Sequence, residues 1–416
     1  MTRVLFALGF VAAVAAPVTA HKLAIAQKIV ITGGTHDEAD VVVSARLHPG
    51  DFSTSNTVTL PDGTHIPAQI TAGSQPGDKE ADQYLVFVLP KVKAGQTIEV
   101  TPTMLNHMKA PPQFQFTDTP GESSDLAYNG RHVIRYFNPP HNPKDHYFTF
   151  KPFHHVYDPV EGKTLLTNGS AKTEKDGLYP HHRGLFYGWN IIRYDGKTAD
   201  IWHGKDNVFS QHEKMLATEA GEVLGRQRSL ISWHGKDGQT FATEQRELTT
   251  YAVPGGTLID FASLLKTDRK SVKLDGDPQH AGFHFRANME VSKRGKETYY
   301  LRPDGKGKLG ETRNWEAKSQ DSKTINLPWD AASFMVGEKR YTVLRVNHPD
   351  NPKEARGSER DYGRFGDYFE YELTPNKPLK VKYRVWVQEG EMTVEQCEAI
   401  HQAFVNPPTT KVVSGG

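Results

Sequence analysis

The sequence of 416 residues contains one cysteine, Cys397, so no internal disulfide can form and stability must come from packing. Its acidic and basic side chains nearly balance, with 49 Asp and Glu against 50 Lys and Arg. There is therefore no overall field to attract nucleic acid or an anionic surface, and no nucleic-acid partner is predicted. The sequence also lacks a Walker loop, a dinucleotide-binding glycine fingerprint, a GxSxG nucleophile elbow and an HExxH metal motif. These absences exclude the motif-bearing sites of several large enzyme classes.

Long apolar runs are also scarce, and the longest lies at the N-terminus. Residues 4–16 read VLFALGFVAAVAA after the positively charged Arg3, and the small residues Val18 and Ala20 match the −3 and −1 preferences of signal peptidase. The run is shorter than the roughly 20 apolar residues that span a bilayer. We predict a signal peptide over residues 1–20, cleaved after Ala20, and export to the periplasm or the extracellular space. A retained N-terminal anchor is the alternative, and after cleavage no membrane association is expected.

Helical periodicity is nearly absent as well. One segment, residues 393–404, places apolar residues three to four apart after the candidate N-cap Thr393, and it predicts a C-terminal helix. Elsewhere short alternating runs lie between turn residues, as in VVVSARL, YLVFVLP, QTIEVTP, TLIDFASLL, YTVLRVN, DYFEYEL and KVKYRVWV. Such runs are typical of antiparallel strands. The sequence therefore predicts an all-β fold with one C-terminal helix.

The strand pattern divides the chain into two predicted domains. Residues 21–110 have the size of a small β-sandwich, and residues 125–406 are expected to form a large antiparallel β-sandwich. Between them, residues 111–121 are rich in Pro and Thr and are predicted to be a linker. The polar tail after Asn406 is predicted to be a mobile end.

The histidines are concentrated where arginines and aromatic residues also gather. Of 19 histidines, twelve fall within residues 132–284, and the densest segment is YPHHRGLFYGW at residues 179–189. Pro180 favours the start of a strand because it lacks a backbone donor. In a strand, His181 and His182 would face opposite sides, so that one reaches a substrate while the other packs. Ordinary hydrogen-bonded histidines are the alternative.

Two later clusters also combine histidine with arginine or aromatic residues. The short segment IWHG contains Trp202 and His203, and the segment GDPQHAGFHFR places His280, His284 and Arg286 at one parity. If the strand begins by residue 279, these three side chains share one face. Unpaired polar groups are costly to bury. The face is therefore predicted to be wet or to bind a ligand.

A fourth cluster lies in the segments VNHPDNPKEAR and SERDYGRFGDYF. It contains His348, Arg356, Tyr362 and Arg364, and its prolines and glycines predict loops. Polar loops on a rigid sheet are frequent positions for binding and catalytic residues. A surface loop braced by ion pairs is the alternative.

Two carboxylates flank an arginine in the segment ATEQREL. Glu244 and Glu247 have opposite parity and would lie on different faces of a strand. One is predicted to be a general acid or base and the other to be solvated. We prefer Glu244 for the catalytic role.

These motifs resemble a known family. From about residue 126 to 387, the segments LYPHHRGLFYGW, IWHG, GDPQHAGFHFRA, VNHPDNPKEAR and SERDYGRFGDYF are similar to the PmoA-type family of unknown function, whose members have been called methane-oxygenase-like. The resemblance implies a sandwich of the galactose-mutarotase type, also used by glycoside hydrolases and polysaccharide lyases, and it implies export or sugar processing. Methane oxidation is not expected, because a particulate methane monooxygenase subunit is membrane-embedded and this chain has no apolar run of spanning length.

The sequence and the resemblance together predict an exported carbohydrate-active enzyme with a carbohydrate ligand. Hydrolysis would need a pair of carboxylates, whereas elimination would need a base such as His or Tyr, and both remain open. A non-catalytic glycan-binding protein is one alternative. Another alternative is a His-ligated metal enzyme. It would hold a divalent ion on two or three of His181, His203, His280 and His284. No cofactor or metal ligand is assigned.

Site residues are predicted in two groups. The candidate catalytic residues are His182, His280, Glu244, His348 and Tyr362. The candidate substrate-binding residues are His181, Arg183, Trp189, Trp202, His203, His284, Arg286, Arg356 and Arg364. Arginines in this set are expected to hold carboxylate or sulfate groups through paired hydrogen bonds, and the tryptophans are expected to be platforms for sugar rings.

Overall fold

A computed structural model describes residues 27–48, 51, 55–74, 81–105, 113–169, 172–318 and 320–414. The predicted signal peptide and its cleavage position lie outside the described residues. Within the described ranges, no helix is both long and apolar enough to span a bilayer.

The described residues form mostly strands. The first fourteen are β1 Gln27–Thr32, β2 Glu38–Leu47, β3 Thr57–Thr59, β4 His65–Ala72, β5 Gln83–Val92, β6 Thr97–Thr103, β7 Phe114–Thr119, β8 Ser123–Tyr128, β9 Arg131–Phe137, β10 Phe153–Val156, β11 Gly184–Trp189, β12 Ile192–Tyr194, β13 Lys197–Ala199 and β14 Phe209–Ala220. The later strands are β15 Leu224–His234, β16 Thr240–Tyr251, β17 Thr257–Lys266, β18 Val272–Leu274, β19 Ala281–Arg286, β20 Tyr299–Arg302, β21 Gly305–Lys306, β22 Trp329–Val336, β23 Lys339–Asn347, β24 Arg356–Arg360, β25 Arg364–Tyr368, β26 Tyr371–Leu373, β27 Leu379–Glu389 and β28 Thr409–Ser414.

Helices are few among the same residues. The α-helices are α1 His146–Thr149 and α2 Val394–Val405, and short 3-10 turns cover Pro143–Asp145, Lys205–Asn207, Met289–Lys293, Gly295–Glu297 and Ser322–Thr324. Helix α2 confirms the predicted C-terminal helix. Its N-cap Thr393 accepts a hydrogen bond from the Gln396 amide, and the Gln396 side chain accepts one from the Thr393 amide. This capping box satisfies two otherwise unpaired backbone donors.

The strands pair antiparallel in four sheets. The first sheet has the order β2-β5-β4-β3-β6-β1-β28, and the second has the order β24-β25-β19-β11-β10-β9-β8-β7. The third is a small sheet, β13-β12-β18-β26, and the fourth has the order β14-β15-β16-β17-β27-β23-β22-β20-β21. The predicted all-β class is confirmed.

The second and fourth sheets pack face to face around the main core. Leu185 and Tyr187 of β11, Phe283 of β19 and Phe261 of β17 all point into it. The rings of Phe261 and Phe283 stack with their centroids 4.3 Å apart. Because successive side chains of a strand point to opposite faces, the even-numbered residues of β11 and β19 lie on the outer face of the second sheet.

The first sheet curls around its own core, which includes Ile29, Val43 and Phe87. Strand β28 pairs with β1, and Thr410 Oγ1 donates a hydrogen bond of 3.1 Å to the Ser44 carbonyl of β2. The prediction of a mobile tail after residue 406 was therefore wrong. The six residues TTKVVS are a weak strand signal because they do not alternate between apolar and polar side chains, and the edge of β1 gives them a partner.

Part of the predicted linker is a strand of the second sheet. Residues 114–119 form β7, which pairs along its length with β8. Phe114 is buried in the main core. Proline at residues 111 and 112 suggested a linker, but the alternating Phe114 and Phe116 give the segment an apolar face to bury. The boundaries at residues 110 and 125 stay predictions.

Candidate functional site

Four histidine rings gather at the outer face of the second sheet, and we call them the histidine cluster. Ring centroids lie 4.2 Å apart for His181 and His182, 4.6 Å for His181 and His203, and 5.0 Å for His203 and His280. The rings of His182 and His280 are 6.3 Å apart. Three loops that are distant in sequence supply these rings, so the structure brings together three of the four motifs identified in the sequence.

The local backbone explains how two adjacent histidines reach one place. Strand β11 begins only at Gly184, and Tyr179 has a φ of 49° in the left-handed region. His181 and His182 therefore lie in a turn, where strand alternation does not apply. The expectation that they face opposite sides was wrong for this reason.

Two members of the cluster are each paired with an aspartate. His203 Nδ1 lies 2.9 Å from Asp200 Oδ2, and His280 Nδ1 lies 2.9 Å from Asp277 Oδ1. A carboxylate that accepts the Nδ1 proton fixes the tautomer and leaves Nε2 as a proton acceptor. Neither Nε2 atom has a hydrogen-bond partner among the described residues. The pair thus presents two oriented, basic nitrogens on neighbouring rings.

Asp277 is held firmly as the partner of His280. Burial favours its neutral form, but hydrogen bonds from His280, Asn190 and the Gln279 amide outweigh burial and lower the pKa of Asp277 to about 2. The carboxylate is therefore ionised at neutral pH. The His280 side chain is 34% exposed, which leaves this ring accessible from solvent.

The other two histidines are neutral. Burial, together with His203 and Lys151, lowers the pKa of His181 to about 2. Burial and the neighbouring His181 lower the pKa of His182 far below its usual range. His181 Nε2 and both ring nitrogens of His182 are buried without a hydrogen-bond partner among the described residues, and the same is true of Trp202 Nε1. Buried polar groups are usually satisfied, so this concentration of unpaired nitrogens distinguishes the cluster.

Three buried basic side chains surround the cluster. Lys151, Arg286 and Arg364 are buried, and none of the three makes an ion pair with a described carboxylate. Lys151 Nζ donates a 2.8 Å hydrogen bond to the Trp202 carbonyl, and burial strongly lowers its pKa. Uncompensated buried charge is unfavourable for folding. It favours binding of an anion nearby.

Two of the buried arginines predicted to bind substrate, Arg183 and Arg286, donate hydrogen bonds to backbone carbonyls. Arg286 lies under Tyr362, 4.6 Å from its ring centroid, and donates to the carbonyls of Tyr362 and Ala287. Arg183 donates to the carbonyls of Tyr147 and Phe148 at helix α1. The sequence showed the arginines but not the backbone carbonyls that would accept their hydrogen bonds.

The predicted wet face of β19 is dry. His284 is fully buried, its Nε2 donates to the Ala281 carbonyl at 2.8 Å, and its Nδ1 accepts from Arg364 Nη1 at 3.2 Å. Arg364 Nη2 also donates to Ser358 Oγ at 3.1 Å. Hydrogen bonds within the protein offset the burial of these polar groups, and His280 alone of the predicted trio is exposed because it precedes the strand.

The two predicted tryptophan platforms are buried. Trp189 points into the main core, where its Nε1 donates to the Phe369 carbonyl at 3.1 Å. Trp202 packs beneath the cluster, with ring centroids 5.5 Å from His182 and 4.9 Å from His284. Trp202 therefore supports the histidines, and neither indole is available to stack on a sugar.

Glu244 is not part of the histidine cluster. Its carboxylate forms a paired hydrogen bond with Arg246, at 2.8 and 2.9 Å, and accepts from Trp233 Nε1 at 3.1 Å. Its side chain is fully buried inside the sandwich. Glu247, expected to be solvated, is also buried and is bound to Arg228. Neither carboxylate is accessible to a substrate.

His348 and Arg356 lie elsewhere as well. The His348 ring contacts Phe404 of α2, with centroids 5.3 Å apart, in a cavity on the outer face of the fourth sheet. Arg356 is paired with Glu354 and Glu370 and lies 4.6 Å from the Trp315 ring centroid. The structure thus separates the fourth motif, and of its predicted residues Tyr362 is the one whose ring faces the cluster, 6.4 Å from His182.

Four residues near the cluster were missed by the sequence analysis: Asp200, Asp277, Lys151 and Tyr179. The two aspartates share a signal, because Asp200 and Asp277 each stand three residues before a histidine in the clusters already identified. Tyr179 is 48% exposed and lies 5.4 Å from Tyr362 and 6.2 Å from His181. Lys151 has no comparable sequence signal.

Metal binding was left open by the sequence. Among the described residues, no group of three or more His, Cys, Asp or Glu side chains has a geometry suited to holding a metal ion. The divalent-metal alternative remains a hypothesis.

Comparison with solved structures finds matches of low similarity. A glycosyl hydrolase family 38 protein from Enterococcus faecalis has 10% identity and a TM-score of 0.44, with 94% of this chain and 48% of that chain covered. A putative aldose 1-epimerase from Escherichia coli K12 has 7% identity and a TM-score of 0.30, with 66% and 98% covered. A galactose mutarotase related enzyme from Lactobacillus acidophilus has 8% identity and a TM-score of 0.27, with 67% and 98% covered.

None of these similarities identifies an activity of this chain. The chain spans about half the length of the Enterococcus protein. No curated protein matches the sequence, and no PmoA-type family is among the matches, so that resemblance stays a prediction. A family model does match residues 123–402, which include the whole histidine cluster. The chain belongs to that family, DUF6807, a family of unknown function.

Proposed function

We propose that this chain is a carbohydrate-active enzyme that acts on an acidic glycan by proton transfer at the histidine cluster. The observation that carries the proposal is the pair of Asp–His dyads, Asp200–His203 and Asp277–His280, on rings 5.0 Å apart. Histidine transfers protons near neutral pH, and a positioned acid or base contributes roughly 10²–10⁴-fold to a rate.

Elimination fits this chemistry better than hydrolysis. Hydrolysis uses two carboxyl groups across the scissile bond, but Asp200 and Asp277 are each engaged by a histidine. In elimination, one Nε2 takes the proton next to the carboxylate of a uronic acid. The bond to the leaving oxygen breaks, a carbon–carbon double bond forms, and the second, protonated histidine gives its proton to the leaving oxygen.

The surroundings supply two further requirements. The buried charges of Arg286 and Arg364, and of Lys151 when protonated, favour the substrate carboxylate and the negative charge that develops on it. Tyr179, half exposed beside the cluster, offers a ring to the apolar face of a sugar. The motif resemblance to sugar-processing proteins agrees with this substrate class.

The test is cleavage of a panel of neutral and acidic polysaccharides, followed by absorbance near 230 nm and by reducing-end release. We expect new absorbance with polyuronates, and a loss of about 100-fold or more in kcat for His280→Ala. The matched control is His348→Ala, a histidine outside the cluster, which should keep full activity.

Other outcomes distinguish the alternatives. Reducing ends without absorbance would indicate hydrolysis, and retention in glycan affinity gels without cleavage would indicate a binding protein. Loss of activity after chelation, restored by a divalent ion, would favour the metal-dependent alternative. Full activity of both His280→Ala and His182→Ala would contradict this placement of the site.

Export is part of the proposal. It rests on the apolar run of residues 4–16 followed by small residues at 18 and 20. N-terminal sequencing of the protein recovered from the periplasm or the medium should begin at His21. Recovery of the intact N-terminus in the membrane fraction would instead indicate a retained anchor.

A further inference from the structure

A cavity lies on the opposite side of the sandwich from the histidine cluster. A cavity of about 240 Å³ opens between β2 of the first sheet, the outer face of the fourth sheet and helix α2. Its wall includes Glu38, Leu258, Arg384, Trp386, Gln396 and Ile400. A water occupies about 30 Å³ of liquid volume, so the space equals roughly eight waters, or one small ring with its substituents.

Glu38 gives this cavity an unusual polar group. The residue is 5% exposed, and neither carboxylate oxygen has a hydrogen-bond partner among the described residues. Burial raises its pKa, although Arg384 opposes the shift. A buried carboxyl without donors is destabilising, because it has lost its hydration and gained no hydrogen bond in return. Such a group is retained without a partner most readily where a ligand supplies the donors.

Arg384 contributes the complementary donor. Its Nε and Nη2 bind the two oxygens of Asp260, at 2.7 and 2.9 Å, which leaves Nη1 without a partner in the described part of the chain. Arg384 and Glu38 are not within ion-pair distance of each other, yet each shifts the pKa of the other. The cavity therefore holds an acceptor and a donor that do not satisfy one another.

The remaining wall is largely apolar. Leu258 of β17, Ile400 of α2 and the half-buried indole of Trp386 line it. Trp386 Nε1 is already bound to Gln388 Oε1 at 2.9 Å, so the indole presents its ring and not its donor. A ligand must therefore have an apolar face as well as hydroxyl groups at its edge.

We propose that this cavity binds a neutral, polyhydroxylated molecule of about the size of one sugar ring. Hydroxyl groups can donate to Glu38 and accept from Arg384, while the C–H face of the ring packs on Trp386. Arg384 is already paired with Asp260, and burial raises the pKa of Glu38 and so favours its neutral form, so neither an anion nor a cation is favoured. The site is independent of the histidine cluster, because the two lie on the outer faces of opposite sheets of the sandwich.

The test uses the full mature protein and saturation-transfer NMR with D-glucose, D-galactose, D-mannose, D-xylose and L-fucose in separate samples. We expect transfer to at least one sugar in the wild type and a decrease of tenfold or more in affinity for Glu38→Leu. Without sugar, Glu38→Leu should raise Tm, because it removes a buried polar group that has no partner. Glu38→Gln keeps an acceptor and should bind detectably, which guards against a folding failure of the leucine variant.

Two controls separate this site from others. Glu99→Leu, at an exposed carboxylate paired with Lys28, should leave binding unchanged, and so should His280→Ala. The proposal is overturned if no sugar of the panel binds, if Glu38→Leu binds as the wild type does, or if His280→Ala abolishes binding. The last result would assign the signal to the histidine cluster and leave the proposed function intact.

Discussion

Glu244 gives the sharpest test of how burial separates structural carboxylates from catalytic ones. Its carboxylate and the Arg246 guanidinium make two hydrogen bonds of 2.8 and 2.9 Å, and their side chains are 0% and 2% exposed. Glu244→Gln keeps the size and an acceptor for Trp233 but leaves the charge of Arg246 buried without its counter-ion. Removal of one partner of a buried pair typically costs about 3–5 kcal/mol. That loss is a large fraction of the 5–15 kcal/mol by which domains are usually stable.

The measurement is urea unfolding followed by tryptophan fluorescence, with the midpoint and slope fitted separately. We expect a lower midpoint at an unchanged slope, which marks a loss of stability. The matched control is Glu161→Gln, whose partner Lys163 is 80% exposed, and it should cost less than about 1 kcal/mol. The double variant Glu244→Met/Arg246→Met should recover much of the loss, because no unpaired charge remains.

The opposite result would restore the sequence prediction. If Glu244→Gln unfolds within about 1 kcal/mol of the wild type and loses polysaccharide cleavage, Glu244 is catalytic and its pair with Arg246 is not needed for stability. If stability falls by the expected amount while the folded fraction keeps its activity, Glu244 has a structural role.

Two further predictions concern single positions. Burial raises the pKa of the Cys397 thiol to about 12. At pH 8 an aromatic disulfide reagent should therefore label this thiol only after unfolding. Rapid labelling of the native protein would contradict this packing. Gly282 has a φ of 93°, and a Cβ there would lie 1.8 Å from the Asp367 carbonyl oxygen. Gly282→Ala should therefore lower the free energy of unfolding by about 2 kcal/mol or more, measured with urea. The control is Gly238→Ala, with a φ of 72° and open space around it, which should lower it by only about 1 kcal/mol. Equal losses would show that the Asp367 contact does not matter.

Local patterns were sufficient for many of the strands. The runs TLIDFASLL and KVKYRVWV became β17 and β27, which are paired neighbours in the fourth sheet. One face of each strand packs on the main core, so apolar residues recur at every second position, and this alternation is visible in the sequence. Strand β28 was missed because its main support is a partner almost the whole chain away.

The histidines of the site could be predicted from the sequence, but the roles of its basic residues could not. His181, His182, His203 and His280 stood out by composition, and the structure brings their rings together. Arg183 looked like an anion-binding group, but its hydrogen bonds go to backbone carbonyls. Backbone acceptors have no sequence signature, so a buried structural arginine and a substrate-binding arginine look alike until the fold is known.

Pairing of β28 with β1 also orders events during synthesis. Strand β1 is made first, yet one of its neighbours emerges only after more than 300 further residues, so the first sheet closes late and through a long loop. Until then β1 presents an open edge, which other chains can pair with. A fragment that ends before β28 would keep that edge permanently. Chaperone dependence and aggregation during production should therefore respond to the C-terminal segment more than to any residue of the histidine cluster.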